Sequence, residues 1–540
     1  MFSSKKNILQ VVALLKAYDI KHIVLSPGSR NAPLIETICG EAYFKTYSIV
    51  DERSAAFFAL GLIQKRSTAV AICCTSGSAL TNYAPAVSEA FYQKLPLVVI
   101  SADRPPAWIG QMDGQTIPQR GFFGSLVRKS IQLPEIHQQE DEWFCNRLIN
   151  EALTASTYRG LGPVHINIPI SEPLFDFSVQ DLPKARRIES IKLSTPTLSE
   201  DFGKLWTGAT KRMLLFGQMP PAKRTQEYAE LLAKESGCLV LKEHLSNIST
   251  ALAIANFDAI LAEATEEEQR NLAPDFLITM GGHIVSKRIK QFLRKHPPRI
   301  HCNVCDDGQI VDLFQCLSHT LETDDIASFL QKLYLIENPT RPQTKYFAQL
   351  WQEASTRVKK NIADGFSPLQ ALSCFAQHLP PNAAVQVANS SSVRNLQHFS
   401  LAASNLVYCN RGVSGIEGSL STALGYASQC SDLCFLVIGD LSFFYDLNAL
   451  FTSYLQNNFR ILLINNGGGG IFNSIEGLEN TQSLEQYIVA RHSNTAKDIA
   501  LAAGLTYLSA NDNVQLEQNM RSFVSPSHQK AVLLEVVLKK

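Results

Sequence analysis

Short apolar runs that stop at small or polar residues recur along this chain. Examples are HIVLSPGSR, AVAICCTSGSAL, LPLVVISADRPP, DFLITMGG, CFLVIGD and RILLINNGGGG. Runs of this length, rich in Val, Ile and Leu, suit strands buried on both faces. Helical patterns follow most of them, and that alternation predicts parallel sheets covered by helices on both sides. Ligands of such sheets bind beyond the carboxyl ends of the strands. Chemistry is therefore expected in the residues just after each run.

The rhythm appears three times within 540 residues. The first block closes near residue 175, with GPVHINIPISEPLF. Polar RRIESIKLSTPTLSE and, near residue 340, ENPTRPQTKY read as linkers. The predicted fold class is α/β, with three doubly wound parallel-sheet domains over 1–180, 190–338 and 346–540. The opening MFSSKKNILQVVALLKAYDI is interrupted by Lys16 and Asp19 and predicts an amphipathic helix rather than a signal peptide. No run approaches the roughly 18 apolar residues of a membrane span. A formal net charge of zero gives no support to a nucleic-acid or anionic-membrane partner. Twelve cysteines without CxxC spacing predict free thiols in a reducing cytoplasm.

Two of the runs end unusually. CFLVIGD leaves a bare carboxylate, Asp440, after Gly439, and RILLINN ends on Asn465 and Asn466 before four glycines. The stretch between them, SFFYDLNALFTSYLQNNF, predicts a crossover helix, so both ends emerge at one rim. A carboxylate, an amide oxygen and a backbone carbonyl are hard donors suited to Mg²⁺ and phosphate oxygens. Glycines 467 to 470 let backbone approach a ligand. Taken alone, Asp440 would read as a helix cap; the two strand ends together favour a metal–diphosphate site.

Arginine recurs on the same kind of loop: Arg30, Arg104, Arg394 and Arg411, with Lys287 and Arg288 in GGHIVSKRIKQF. In a neutral protein that clustering predicts a substrate with several carboxylates. Glu52 follows the strand-like YSIV and opens an apolar helix. His22, His165 and His283 form no recognisable catalytic constellation and are expected to be structural.

The GD…NN pair resembles the diphosphate motif of the thiamin-diphosphate-dependent enzymes, although Leu441 stands where the usual motif has glycine. Further segments, SPGSRNAPL, DERSAAFFALG, TSGSALTNYAPAVSEA, ISADRPP, SKR, NSSSVR, NRGVSGIEG and GDLSFFYDLNAL, are similar to the menaquinone-pathway branch of that family. The resemblance implies domains in the order pyrimidine-binding, central and diphosphate-binding. It implies thiamin diphosphate with Mg²⁺ or Mn²⁺, the metal held by Asp440, Asn466 and the Gly468 carbonyl. Glu52 would activate the cofactor from an apolar niche. Ser390, Gly415, Ile416, Gly439, Leu441, Ser442, Gly469 and Ile471 would contact the cofactor, Ile416 wedging it into a bent shape. Ser29, Arg30, Gln115, Lys287, Arg288, Ser390, Arg394 and Arg411 would hold substrates, and Ile471 and Phe472 would line the pocket. The implied reaction decarboxylates 2-oxoglutarate and adds the four-carbon remainder to isochorismate, in a homodimer or homotetramer whose site lies between subunits. An acetohydroxyacid-synthase-like or 2-oxoacid decarboxylase activity is the alternative. It would predict a monocarboxylate pocket. A non-catalytic nucleotide-binding protein would need a glycine fingerprint or Walker lysine that the chain lacks.

Overall fold

The computed structural model describes residues 1–189, 197–336, 342–358, 365–478 and 480–538. Residues 190–196 of the first expected linker and 337–341 of the second lie outside them. Strands β1 (His22–Leu25), β2 (Lys45–Ser48), β3 (Val70–Cys74), β4 (Leu97–Asp103), β5 (Lys129–Gln132) and β6 (Val164–Pro169) form a first sheet in the order β2-β1-β3-β4-β6-β5. β7 (Arg212–Phe216), β8 (Leu239–Lys242), β9 (Phe276–Met280), β10 (Ile300–Cys305) and β11 (His319–Glu322) form a second, β11-β10-β9-β7-β8. The third is β13-β12-β14-β15-β17-β16, from β12 (Ala384–Val387), β13 (Leu406–Tyr408), β14 (Cys434–Gly439), β15 (Phe459–Asn465), β16 (Thr506–Ala510) and β17 (Val532–Val537). Every pairing is parallel. The chain is thus three doubly wound α/β units.

The apolar runs became the inner strands. β3, β4, β6, β7, β9 and β15 are buried at every position. The N-terminal helix forms over Lys6–Ala17, as expected. No helix among the described residues is long and apolar enough to cross a membrane. All twelve cysteines are unpaired thiols.

Two expectations need correction. The crossover between Asp440 and Asn466 is not one helix. It is a helix over Asp440–Tyr445, a 3₁₀ turn over Leu447–Leu450, and irregular chain. Helix ends at Asp446, whose buried carboxylate turns away to accept from Ser421 N (2.8 Å) and Ser421 Oγ (2.9 Å). The central unit also continues past residue 338. The helix Pro342–Arg357 packs Phe347 and Trp351 with Met213, Leu215 and Leu241 of the second sheet. Its Trp351 Nε1 donates to Leu272 O at 3.0 Å.

The first and third units meet through the helices Glu52–Arg66 and Ser419–Ala427. A Cβ on Gly61 would lie 2.0 Å from Thr422 O, and one on Gly425 would lie 2.1 Å from Phe58 O. Backbone touches backbone there, which only glycine permits.

Candidate cofactor and substrate site

In the third sheet the chain leaves β12 for β13 on one side and returns to β14 on the other. The switch point between β12 and β14 is where an open α/β sheet has room for a ligand. Asp440, 2% exposed, stands at the end of β14. Its Oδ1 accepts from Leu441 N (2.7 Å) and its Oδ2 from Gly468 N (2.9 Å). The Asn466 side-chain oxygen lies 3.2 Å from Asp440 Oδ2 and 2.8 Å from Gly468 O. Turning the amide over would replace that oxygen with a donor. With the nitrogen turned inward the amide donates to both; with the oxygen inward the three groups offer a hard cation an oxygen set. The all-oxygen donor set fits Mg²⁺ or Mn²⁺.

The glycine run is explained by the same corner. Gly467 and Gly468 have φ of 71° and 146°, and a Cβ on Gly470 would lie 2.3 Å from Asn466 Nδ2. The Ser442 hydroxyl donates to Ile416 O, joining the GDLS turn to the Gly415–Ile416 loop. Asn389 Nδ2 donates to Gly415 O at 2.7 Å. His492 Nε2 lies 3.4 Å from Asp440 Oδ2. No sequence signal marked this histidine.

Beside this corner lies a group of cations. Arg411, 8% exposed, donates from Nη1 to Asn389 Oδ1 (3.0 Å), and Arg394 donates from Nη1 to Ser390 O (2.9 Å). The Nε of each is buried without a partner. Burial first, then Arg411, pushes the Arg394 guanidinium below its usual range. Lys290 is shifted down too, by burial and by Arg411, Arg294 and Arg394, against the opposing pull of Glu243. The Glu243 carboxylate is spent elsewhere: it accepts from Val285 N (2.8 Å) and Ser286 N (2.7 Å), and burial pushes it up to about 7. Mutual repulsion among half-buried cations is what a dicarboxylate would relieve. The motif SKR pointed to Lys287 and Arg288, but both are exposed; it is Lys290, one turn on, that joins the arginines. Ser390 itself holds φ +70°, a strained conformation for a non-glycine residue.

The rim of the first sheet carries the remaining candidates. Arg30 is buried and committed, donating to Ile170 O (3.0 Å) and pairing with Glu172 (3.1 Å). Ser29 and Gln115 are exposed, and Gln115 holds φ +55°. Arg104 pairs with Asp113 at 3.0 Å. The buried hydroxyl of Thr75 has no hydrogen-bond partner there. Glu52 opens its helix behind the N-cap Asp51. Its Oε2 accepts from Asn82 Nδ2 at 3.1 Å, and it is half-buried. The apolar niche expected around it is not closed by residues of its own chain. Neighbouring Asp51 and Arg53 reach past Asp440, to Asn448 (2.6 Å) and Tyr445 O (2.8 Å).

His22 bonds Tyr47 OH at 2.9 Å. His165 sits between Ser101 (2.8 Å) and Ser130 (3.2 Å), and burial pushes it down to about 3. His283 is different: burial lowers it, and Arg411 and Lys290 are within electrostatic reach. The switch point of the central sheet is filled by backbone, since a Cβ on Gly217 would lie 2.2 Å from Gly282 O. Its rim braces the third unit instead: Gln218 Nε2 donates to Cys409 O (2.8 Å) and Asn247 Nδ2 to Val407 O (3.0 Å).

Known proteins share this plan. The family model for the N-terminal TPP binding domain of thiamine pyrophosphate enzymes matches residues 9–127, and that for their middle domain matches 196–387. A Bacteroides fragilis protein named 2-succinyl-5-enolpyruvyl-6-hydroxy-3-cyclohexene-1-carboxylate synthase is 46% identical over 547 residues, covering 100% of this chain and 97% of the relative. The chain belongs to that synthase family of thiamine pyrophosphate enzymes. A synthase of the same name from Phocaeicola vulgatus is 47% identical, with 100% and 97% covered. One from Flavobacterium psychrophilum is 38% identical, with 97% and 94% covered. The middle-domain match includes the helix Pro342–Arg357, which packs on the central sheet.

Proposed function

We infer that the protein is a thiamin-diphosphate-dependent carbon–carbon bond-forming transferase of menaquinone biosynthesis. It decarboxylates 2-oxoglutarate and adds the remaining four-carbon unit to isochorismate. The observation that carries the reading is the meeting, at one switch point, of the Asp440–Asn466–Gly468 oxygens with the Arg394–Arg411–Lys290 cations. The first group suits a metal-bound diphosphate and the second a substrate rich in carboxylates. A simple 2-oxoacid decarboxylase has no use for three such cations.

When bound, thiamin diphosphate supplies a carbanion-stabilising thiazolium ring. Asp440, Asn466 and the Gly468 carbonyl would hold Mg²⁺ or Mn²⁺, with Gly439, Leu441, Ser442 and Gly469 against the diphosphate. Arg394 and Arg411, assisted by Lys290, would orient substrate carboxylates. Ile471 and Phe472 would exclude water above them. Glu52 would keep a proton at the ring nitrogen of the cofactor's pyrimidine. In its own chain it faces Asn82, and Ile416 is 41% exposed. A second copy would close both, completing a site between the first unit of one subunit and the third unit of the other. A first unit over 1–180, a central unit from 190 that keeps the helix Pro342–Arg357, a last unit after residue 357 and a cytoplasmic setting complete the proposal.

Turnover with 2-oxoglutarate and isochorismate, with and without thiamin diphosphate and Mg²⁺, tests it. Product formation dependent on both additions is expected. Activity with pyruvate in place of 2-oxoglutarate, and none with the named pair, would overturn it.

A further inference from the structure

The helices Pro368–His378 and Asn513–Phe523 pack on the face of the third sheet opposite the helix Ser419–Ala427. Cys374 and His378 stand four residues apart on the first, so they share one side of it. Glu517 reaches them from the second. One donor atom from each of the three lies within 4.8 Å of the others.

The histidine's orientation is decisive. His378 Nδ1 lies 2.9 Å from Cys374 O. A carbonyl can only accept, so Nδ1 carries the hydrogen and, in the neutral ring, Nε2 presents its lone pair. That lone pair faces Glu517 Oε1 at 3.2 Å. Two acceptors at this distance need a positive centre between them. Holding one ring nitrogen by a backbone carbonyl while the other points at a cation is how metal-ligating histidines are commonly fixed. The Cys374 Sγ lies 3.5 Å from Glu517 Oε2. Bonds of about 2.0–2.3 Å to a tetrahedral zinc ion put its ligands roughly 3.3–3.7 Å apart, close to the two separations to Glu517; Cys374 Sγ lies 3.8 Å from His378 Nδ1. Glu517 also lines a surface pocket with Asn513 and Arg521, so its carboxylate can be reached from solvent. Arg521 donates to Glu517 Oε1 at 3.0 Å and is 72% exposed, free to swing aside.

We propose that Cys374, His378 and Glu517 bind one divalent ion of the zinc class per chain, clipping the two helices together. Sulfur, imidazole and one carboxylate are borderline-soft donors, unlike the oxygens offered by Asp440, Asn466 and Gly468, so the two sites select different metals. On binding, the Cys374 S–H bond breaks, sulfur gives its electron pair to the metal, and the proton leaves to solvent. Water would take the fourth position. The alternative is a proton on His378, with no metal.

The test is cobalt titration of the enzyme already loaded with Mg²⁺ and thiamin diphosphate. One equivalent of Co²⁺ per chain should raise a near-ultraviolet thiolate-to-cobalt charge-transfer band with visible bands of a tetrahedral ion, and Zn²⁺ should bleach both. Cys374→Ser should abolish the charge-transfer band and leave turnover unchanged. Glu517→Gln, at the surface, should weaken Co²⁺ binding at least tenfold, and it serves should the serine variant fold poorly. Zn²⁺ should raise the melting temperature of the wild type alone. No charge-transfer band at stoichiometric Co²⁺, or a band that survives either substitution undiminished, would overturn the proposal and leave the protonated histidine.

Discussion

The Glu89 carboxylate, 1% exposed on the helix Ala84–Gln93 of the first unit, accepts the backbone N–H of Gly412 in the third unit at 2.7 Å. Its second oxygen accepts from Val413 N, also at 2.7 Å. The loop so held carries Arg411 at one end and Ile416 at the other. Asn389, Gln93 and Gln218 grip the same loop from the three units. A carboxylate buried between units thus fixes the segment that carries both Arg411 and Ile416.

Glu89→Gln keeps the shape but turns an amide N–H toward a backbone N–H. Losing a buried charge-assisted bond and stranding its donor costs about 2–4 kcal/mol. The melting temperature should fall. The KM for isochorismate should rise as Arg411 loses its setting, more than that for a variant of equal stability altered elsewhere. Steady-state kinetics beside thermal melts check this.

Glu52→Gln should leave the fold intact and reduce turnover by about 10²-fold or more, the usual contribution of a positioned acid or base. Asp440→Ala should be inactive by a different route. If the site lies between subunits, mixing the two inactive proteins should restore part of the activity, because one hybrid site receives an intact residue from each. Absence of recovery after subunit exchange, shown by a tagged partner, would put both residues to work within one chain.

Asp440→Ala should also weaken Mg²⁺-dependent binding of thiamin diphosphate by at least ~100-fold, since even outer-shell losses cost 10–100-fold. Calorimetry with and without Mg²⁺ reads this directly. The melting temperature without cofactor should change little.

Asp446 gives a pH signature. Burial pushes its carboxyl up to about 6, against Ser421 and Arg53, which favour the anion, and Asp51 adds to the rise. The folded state therefore holds a proton that the unfolded chain releases near the ordinary carboxylate value of 3.8. Stability from this group is greatest below that value and declines as pH rises to about 6, then stays level. Asp446→Asn should lack the decline. The difference in urea midpoint between wild type and variant should shift toward the variant between pH 4 and 6 and be constant above.

Gly61→Ala puts a methyl group onto the Thr422 carbonyl, where no side chain can give way. Overpacking of this kind costs about 1–3 kcal/mol or more, and the melting temperature should drop accordingly. The same change at Gly114, which has open space around it, should be nearly silent.

The inner strands and their chemistry were legible because burial on both faces writes an unbroken apolar run, and the polar residue that ends it marks the ligand rim. The meeting of Asp440 and Asn466 at one rim was read that way, as was the helix that Glu52 opens. Three strands carry no such run, β5, β11 and β16, and each is an edge strand of its sheet. Their burial alternates or is partial, so their sequences carry no continuous run to read.

By itself, then, the sequence determined the α/β class, the three parallel sheets, the meeting of two strand ends at Asp440 and Asn466, and the wealth of arginine on the rims. Tertiary structure decided which cations meet. It brought Lys290 and His283 to Arg411, tied Arg30 to Glu172, set Glu89 under Gly412 and docked the helix Pro342–Arg357 on the central sheet. The reason is range. A buried strand is specified by its own neighbours, whereas a charge's partner is chosen by packing between segments hundreds of residues apart, which no local pattern records.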